Sequence, residues 1–307
     1  MNEFKYTFTV FTPTYNRAHT LYRVYNSLEQ QTMKDFEWII IDDGSSDNTK
    51  DIVDEWRSRS DFPIKYHYTE NGGKLRAFKI AIGMAEGELF LTIDSDDYCK
   101  PNALERFILH WTSIPSPVRH QFAGVCVLCE NEKSELIGTK FPNDNLDSNF
   151  IDIYTKYKVK GDKWAFFRTD ILKDMHIPEI AGEKRIASSL VWFQIGMSYK
   201  HRFVNEVLMT KEYQIDGITK RSIKVRTMNS RGSRYYYQEY LKFPVPFLYK
   251  LRGIINYIRF SFHAKIKIKQ MLTESNYQFA TSCLLPLGYF FYRRDLILLK
   301  KMERVKS

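Results

Sequence analysis

At 307 residues, 44% hydrophobic and 27% charged, the chain is long enough for one large domain or a domain with an appendage, and its composition excludes a disordered polymer. No apolar run approaches the roughly 18 residues that a membrane-spanning helix needs. The net charge of +10 is unevenly placed: residues 220–307 hold 19 Lys and Arg against 4 Asp and Glu, residues 1–219 hold 27 against 32, so a mildly acidic body carries a strongly basic tail.

Met1 to Lys5 is polar and passes at once into a strand, so no signal peptide is expected. Tyr6 to Phe11, aromatic and β-branched, reads as a first strand broken by Thr12-Pro13-Thr14-Tyr15-Asn16. Leu21, Val24, Tyr25 and Leu28 recur at helical spacing between Ala18 and Gln30. Glu37 to Ile41 is a second strand, and its Trp38-Ile39-Ile40-Ile41 suits burial on both faces. It ends in Asp42-Asp43-Gly44-Ser45-Ser46-Asp47, where Ser45 or Ser46 can cap a helix carrying Ile52, Val53 and Trp56. Ile64 to Tyr68 makes a third strand, followed by Glu70-Asn71-Gly72-Gly73 and a helix from Lys74 to Ala85. Leu89 to Ile93 is a fourth strand, and Pro101 opens a helix with Leu104, Phe107, Ile108 and Trp111 on one face.

Four β-α repeats predict a parallel, doubly wound α/β sheet with right-handed crossovers. Asn16, Asp42, Asp43, Asn71 and Asp94-Ser95-Asp96-Asp97 all fall at strand carboxyl ends, hence on one edge, where open α/β sheets bind ligands. The carboxylates of Asp94, Asp96 and Asp97 repel one another unless a cation or hydrogen-bonding ligand sits among them. The turn after the first strand holds no glycine, which argues against a dinucleotide fingerprint, and no Walker loop occurs. The acidic rim points instead to a divalent cation on a diphosphate, with Lys74 and Arg76 at a helix start to meet further phosphate oxygens.

Phe8 to about Phe107 resembles the donor half of family 2 glycosyltransferases, which have the A-type glycosyltransferase (GT-A) fold. The resemblance is carried by Pro13-Thr14-Tyr15-Asn16, Ile40-Ile41-Asp42-Asp43-Gly44-Ser45-Ser46-Asp47, Asn71-Gly72-Gly73-Lys74, Ala85-Glu86-Gly87-Glu88 and Asp94-Ser95-Asp96-Asp97. It implies that Pro13, Thr14 and Tyr15 line the nucleobase and ribose, and that Asp42 or Asp43 hydrogen-bonds the base, usually uracil in relatives. It implies further that Asn71, Lys74 and Arg76 complete the nucleotide-sugar pocket with Asp94, near the ribose, and Ser95. Asp96 would bind Mn²⁺ or Mg²⁺, ions suited by hard oxygen ligands, and Asp97 would touch the metal shell or the sugar.

Three segments are expected: 1–113 for the nucleotide-sugar donor, 114–222 for the acceptor within the same catalytic domain, and 223–307 as a basic amphipathic helical extension. Phe122 to Leu128 reads as another strand, and its C-x-x-C, Cys126 and Cys129, as buried thiols on opposite faces, without a partner pair for zinc. With Cys99 and Cys283 they suit a reducing cytoplasm. In the polar, aromatic stretch 140–180, Trp164 either stacks on an acceptor sugar or is half-buried core. Inversion at the anomeric centre, which the resemblance implies, needs a general base. Where an acid is expected, just before Leu190-Val191-Trp192, stand Ser188 and Ser189; Glu183 is the assigned base, with Glu179 in reserve. Leu208 to Tyr213 reads as a strand, followed by a loop that is either a solvated basic loop or, as the resemblance implies, one that closes over the donor so that Lys220 or Arg221 reaches the diphosphate.

From Phe243 to Leu272, Phe247, Leu248, Leu251, Ile254, Ile255, Ile258 and Phe262 follow helical spacing with Lys250, Arg252 and Arg259 opposite. Such a helix suits an anionic membrane surface, or packing on the catalytic domain or a sister subunit; no nucleic-acid motif appears. The leading expectation is a metal-dependent inverting glycosyltransferase, cytoplasmic or at the inner face of the membrane. It would move a sugar from a nucleotide-diphosphate donor, UDP-linked by resemblance, to a glycan or lipid-linked saccharide. Two alternatives stand: a catalytically weak sugar-nucleotide-binding or assembly protein of the same fold, kept open by Ser188 and Ser189, and a nucleotidyltransferase, disfavoured by the missing Gly-rich loop.

Overall fold

The structure is a computed structural model and describes residues 4–212 and 222–304. Strands and helices alternate through β1 (Tyr6–Thr14), α1 (Ala18–Glu29), β2 (Phe36–Asp42), α2 (Thr49–Arg59), β3 (Ile64–Tyr68), α3 (Lys74–Met84) and β4 (Gly87–Thr92). Then come β5 (Tyr98–Cys99), α4 (Ala103–Thr112), α5 (Ser116–Arg119), β6 (Phe122–Asn131), β7 (Leu146–Ser148), α6 (Phe150–Thr155), β8 (Lys163–Arg168), α7 (Thr169–Lys173), α8 (Ser189–Gly196) and β9 (Lys200–Lys211). The remainder is helical: α9 (Ser222–Met228), α10 (Ser230–Tyr240), α11 (Phe247–His263), α12 (Ile268–Thr273) and α13 (Gln278–Arg304). Two compact units result, Met1–Ile177 with Ile195–Gln214, and Pro178–Gln194 with Ile215–Ser307.

The first unit is built on one sheet of order β3-β2-β1-β4-β8-β6-β9-β5, with β7 on β9. β1 to β4 pair in parallel, as the alternation predicts, and β2 is buried along its whole length. Beyond β4 the sheet is mixed: β8 runs antiparallel to β4 and β6, and β9 parallel to β6. β1 runs on through Pro13, where the sequence suggests a break. Its pairing with β4 stops at Phe11 while that with β2 continues to Thr14, so the missing N–H of Pro13 falls where β4 has ended. β4 starts at Gly87 because any Cβ there would stand 2.2 Å from the backbone N of Thr9.

One face of the sheet packs on α1, α2 and α4 through stacked aromatics; Tyr25 and Trp56 lie 4.5 Å apart at 4°, beside Trp38. Along β6, Val125, Val127 and Cys129 join this core while Cys126 and Leu128 face a second cluster with Phe141 and Phe203. The two thiols therefore lie on opposite faces and are not joined in a disulfide, and burial pushes Cys129 up to about 12.

In the second unit, Leu241, Ile254, Tyr257, Ile258 and Met271 form the core. Ile254 and Ile258 of the expected apolar stripe of α11 are thus turned inward, while Phe247 and Leu248 at its start are 72% and 75% exposed. α13 crosses it closely at Gly288, where a Cβ would meet Ile258 Cγ2 at 2.4 Å. Arg259 and His263 of α11 hold the buried Asp295 of α13. Among the described residues no helix is long and apolar enough to cross a membrane.

Candidate active site

Parallel register fixes the site. Thr14 pairs with Asp42, Asp42 with Tyr68, and Ile93 N–H donates to the Phe11 carbonyl at 2.9 Å. The segments after β1, β2, β3 and β4 therefore leave the sheet at one level.

Side chains brace these segments to one another. Asn16, at φ 51°, accepts from Ser46 N–H through Oδ1 at 2.8 Å and donates its own N–H to Ser45 Oγ at 2.8 Å. The two serines thus hold the turn after β1 instead of capping α2. The N-cap position of α2 is Asn48, without a side-chain cap; the preceding Asp47 accepts from Thr49 N–H at 3.2 Å and also from Ala18 N–H of α1 at 3.1 Å. Asp42 accepts from Ser45 N–H at 2.7 Å and the Tyr66 hydroxyl at 2.6 Å. Asp43 accepts from Gly72 N–H at 2.7 Å and Gly73 N–H at 2.8 Å, which fixes the approach to α3. Gly44 takes φ 87° with the backbone of Asn71 only 3.0 Å from where its Cβ would be.

On this scaffold sits a charge cluster. Lys74, at the start of α3, donates to Asp94; Lys211, at the end of β9, donates to Asp97 and lies 4.0 Å from Asp94. Burial raises the Asp94 carboxyl, but Lys74 and Lys211 outweigh it and hold it at about 2. Burial, then the Asp94 charge, keeps Asp96 above the ordinary aspartate range. Burial pushes Asp97 up to about 7, against the pull of Lys211. Burial would lower Lys211, yet Asp97 and Asp94 hold it above the usual lysine range, so it stays an ammonium. Lys211 is the site residue that sequence reasoning passed over; its signal was the lysine closing a strand. Lys220 and Arg221, to which the diphosphate contact was assigned, lie outside the described residues, as does Tyr213.

The fold brings Pro13, Thr14, Tyr15, Asp42, Asp43, Asn71, Lys74, Arg76, Asp94, Ser95 and Asp96 onto the strand ends of one unit. Tyr15 is 51% exposed there, and the buried Thr14 hydroxyl has no partner among the described residues. Arg76 leans over Gly72 and donates to the Glu70 carbonyl at 3.3 Å.

Two expectations are corrected. Trp164 is 4% exposed, donates its indole N–H to the Thr92 carbonyl at 2.8 Å and packs edge-on to Phe107 at 4.9 Å. Its faces are closed to a sugar, because β8 inserts it between β4 and α4 as core. Glu183 lies in the second unit and spends both oxygens on the start of α10, accepting from Arg231 N–H at 2.9 Å and Gly232 N–H at 2.5 Å. A carboxylate so engaged is a helix cap, not a general base awaiting a hydroxyl.

Among the described residues no three His, Cys, Asp or Glu are grouped as a metal cage. The donor set nonetheless fits a hard divalent ion held by one or two carboxylates and substrate phosphates: Asp94 already gathers cations, and Asp96 beside it bears the repulsion that a cation would relieve.

A parallel β-α sheet with its polar strand ends gathered in this way defines an open α/β protein with a ligand rim at its strand carboxyl ends. The profile of glycosyl transferase family 2 matches residues 9–174, and the chain belongs to that family. It is 33% identical over 212 residues to the glycosyltransferase GlyG of Streptococcus pneumoniae, covering 68% of this chain and 61% of that one. It is 35% identical over 100 residues to the poly(ribitol-phosphate) β-N-acetylglucosaminyltransferase TarS of Staphylococcus aureus, 32% of this chain and 18% of the relative. With an uncharacterized glycosyltransferase of Nostoc, 36% identical over 100 residues, the match covers 31% of the relative, so the chain spans less than two thirds of the length of each. Among solved structures, S. aureus TarS 1–349 superposes with TM-score 0.61 and 19% identity over 94% of this chain and 87% of that one, and has been crystallised with UDP and with UDP-GlcNAc. A Pyrobaculum calidifontis mannosyltransferase, in complex with GDP-Man and Mn²⁺, superposes with TM-score 0.54 and 18% identity over 96% and 85%. The fold is the GT-A glycosyltransferase fold.

Proposed function

We propose that this chain transfers a sugar, with inversion, from a UDP-linked donor to a glycan or lipid-linked saccharide. The observation that carries the reading is the convergence of Lys74, Lys211, Asp94 and Asp96 on a rim where Tyr15 presents an exposed ring. Tyr15 and the turn after β1 receive the base and ribose, and Asn71, Ser95 and Arg76 flank them. Asp42 and Asp43 act through the backbone they hold, shaping the pocket rather than reaching the base with free oxygens. Lys74 and Lys211 bind diphosphate oxygens, exchanging a carboxylate for a phosphate partner. Asp96, with Asp94, would hold Mn²⁺ or Mg²⁺, which supplies Lewis-acid stabilisation of the departing nucleoside diphosphate. The printed names of the relatives support a sugar nucleotide as donor, and TarS with UDP-GlcNAc supports uracil as its base. Incubation with a panel of sugar nucleotides, followed by mass spectrometry for released UDP, tests this; a preference for GDP-linked donors would overturn the choice of base.

We further propose that the tail meets an anionic bilayer, at the cytoplasmic face, through α13 rather than α11. Phe279 is 85%, Phe290 59% and Ile297 57% exposed, at roughly helical spacing, and Arg293, Arg294, Lys300 and Lys301 stand beside them. The one acid in that stretch whose side chain is described, Asp295, is buried against Arg259 and His263. Exposed aromatic and aliphatic side chains beside cations match an anionic interface.

A further inference from the structure

A second cationic site stands in the unit that does not contain the donor rim. Within Pro178–Gln194 and Ile215–Ser307, a cleft of about 180 Å³, several times the roughly 30 Å³ of one water, is lined by Arg185, Ala187, Arg226, Ser233, Tyr236 and Tyr237. Two arginines, two tyrosines and a serine line it, and no acidic residue does so among the described residues. Arg226 is anchored: its Nη2 donates to the Tyr237 hydroxyl at 2.6 Å, and its plane lies 4.6 Å from the Phe260 ring centre. Arg185 is not matched in this way. Its Nη1 is buried and has no hydrogen-bond partner among the described residues. Burial, and then the Arg226 charge, pull Arg185 below the usual arginine range. The Glu183 carboxylate in the same segment offers no relief, being engaged by Arg231 and the start of α10.

Two like charges with no counter-ion among the described residues, one with a buried donor left open, are costly unless an anion completes them. Planar guanidiniums bind phosphate oxygens bidentately. We infer that Arg185 and Arg226 form a binding site for a phosphate-bearing molecule. The donor's diphosphate has its own cations in Lys74 and Lys211, so this site takes a phosphate other than the nucleotide's.

The test uses the whole chain saturated with UDP and Mg²⁺, with inorganic phosphate titrated at constant ionic strength against a chloride control. Saturable phosphate binding is expected in the presence of UDP, weakened about tenfold or more in R185Q and R226Q while UDP affinity is unchanged. R185K, which keeps the charge but not the planar fork, should fall between; it serves also where R185Q proves unstable. Glycerol 3-phosphate and a glycerol phosphodiester then compete with inorganic phosphate, the tighter one showing whether the bound phosphate is terminal or internal. Equal phosphate binding in wild type and all three variants would overturn the site. Displacement of phosphate by UDP would return the two arginines to the donor, and failure of both organic phosphates to compete would overturn the phosphate-bearing organic ligand. If wild type fails to bind UDP, the transferase reading falls, whereas the phosphate titration without UDP still judges the site.

Discussion

Lys211 closes β9 by donating its ammonium to Asp97, 114 residues earlier in the chain. The pair is nearly dry, with the two side chains 17% and 4% exposed. Removing one partner of a buried pair leaves the other charge uncompensated, at a cost of about 3 kcal/mol or more. Lys211→Met is expected to lose about that much stability in urea unfolding, and Asp97→Asn in the same background to recover part of it. Strictly additive losses in this double-mutant cycle would show that the two groups are not coupled in the folded protein.

Glu183 is read here as the cap of α10, and substitution separates capping from catalysis. Glu183→Ala should cost about 1–2 kcal/mol of stability, the range of a lost cap, with Glu183→Gln milder because its amide oxygen still accepts one N–H. UDP-sugar turnover by Glu183→Gln should stay within about tenfold of wild type, since removal of a general base costs about 10²–10⁴-fold. A well-folded Glu183→Gln chain whose turnover collapses to that extent would restore the base assignment.

His201 is buried among Phe150, Phe167 and Phe203, and neither ring nitrogen has a hydrogen-bond partner among the described residues. Burial lowers it to about 3, from 6.5 in the unfolded chain. The unfolded state therefore binds the extra proton between these values, so stability is full above pH 6.5 and is lost as pH falls toward 3, by up to about 1.4 kcal/mol per unit. Denaturant midpoints from pH 7 to 4 should fall more steeply for wild type than for His201→Phe; parallel slopes would place the histidine in contact with water.

What the sequence made legible was whatever lies close along the chain. β1 to β4 and the rim could be read because each β-α unit contains its own periodicity and its own polar stop, and register aligns the stops without further information. Lys211 was illegible because β9 reaches the rim only through the mixed half of the sheet, whose pairing leaves no local pattern. Glu183 was misread, and Trp164 was left open between sugar stacking and core, for a related reason. A tryptophan that finds a backbone carbonyl 72 residues away, or a glutamate that caps a helix 48 residues on, carries no mark of it in the neighbouring sequence. The amphipathic stripe of α11 was real, but a stripe states only that a partner exists, and α13 supplies it.

Co-sedimentation with liposomes tests the role given to α13. Binding to vesicles containing phosphatidylglycerol is expected, falling with added salt as surface charges are screened, and reduced by Phe290→Ser with Ile297→Ser. Binding to neutral vesicles alone, or concentration-dependent self-association that the same substitutions abolish, would assign the exposed row to another partner.

The central claim is that the carboxylates after β4 and the two lysines bind a nucleoside diphosphate together with a metal ion. Isothermal titration of UDP in the presence and absence of Mn²⁺ tests it most directly. Wild type should bind UDP more tightly with Mn²⁺, Asp96→Asn should lose that difference of about tenfold while keeping the metal-free affinity, and Lys74→Met should weaken both. UDP binding that is absent, or that is indifferent to Mn²⁺ and unaltered in both variants, would contradict it.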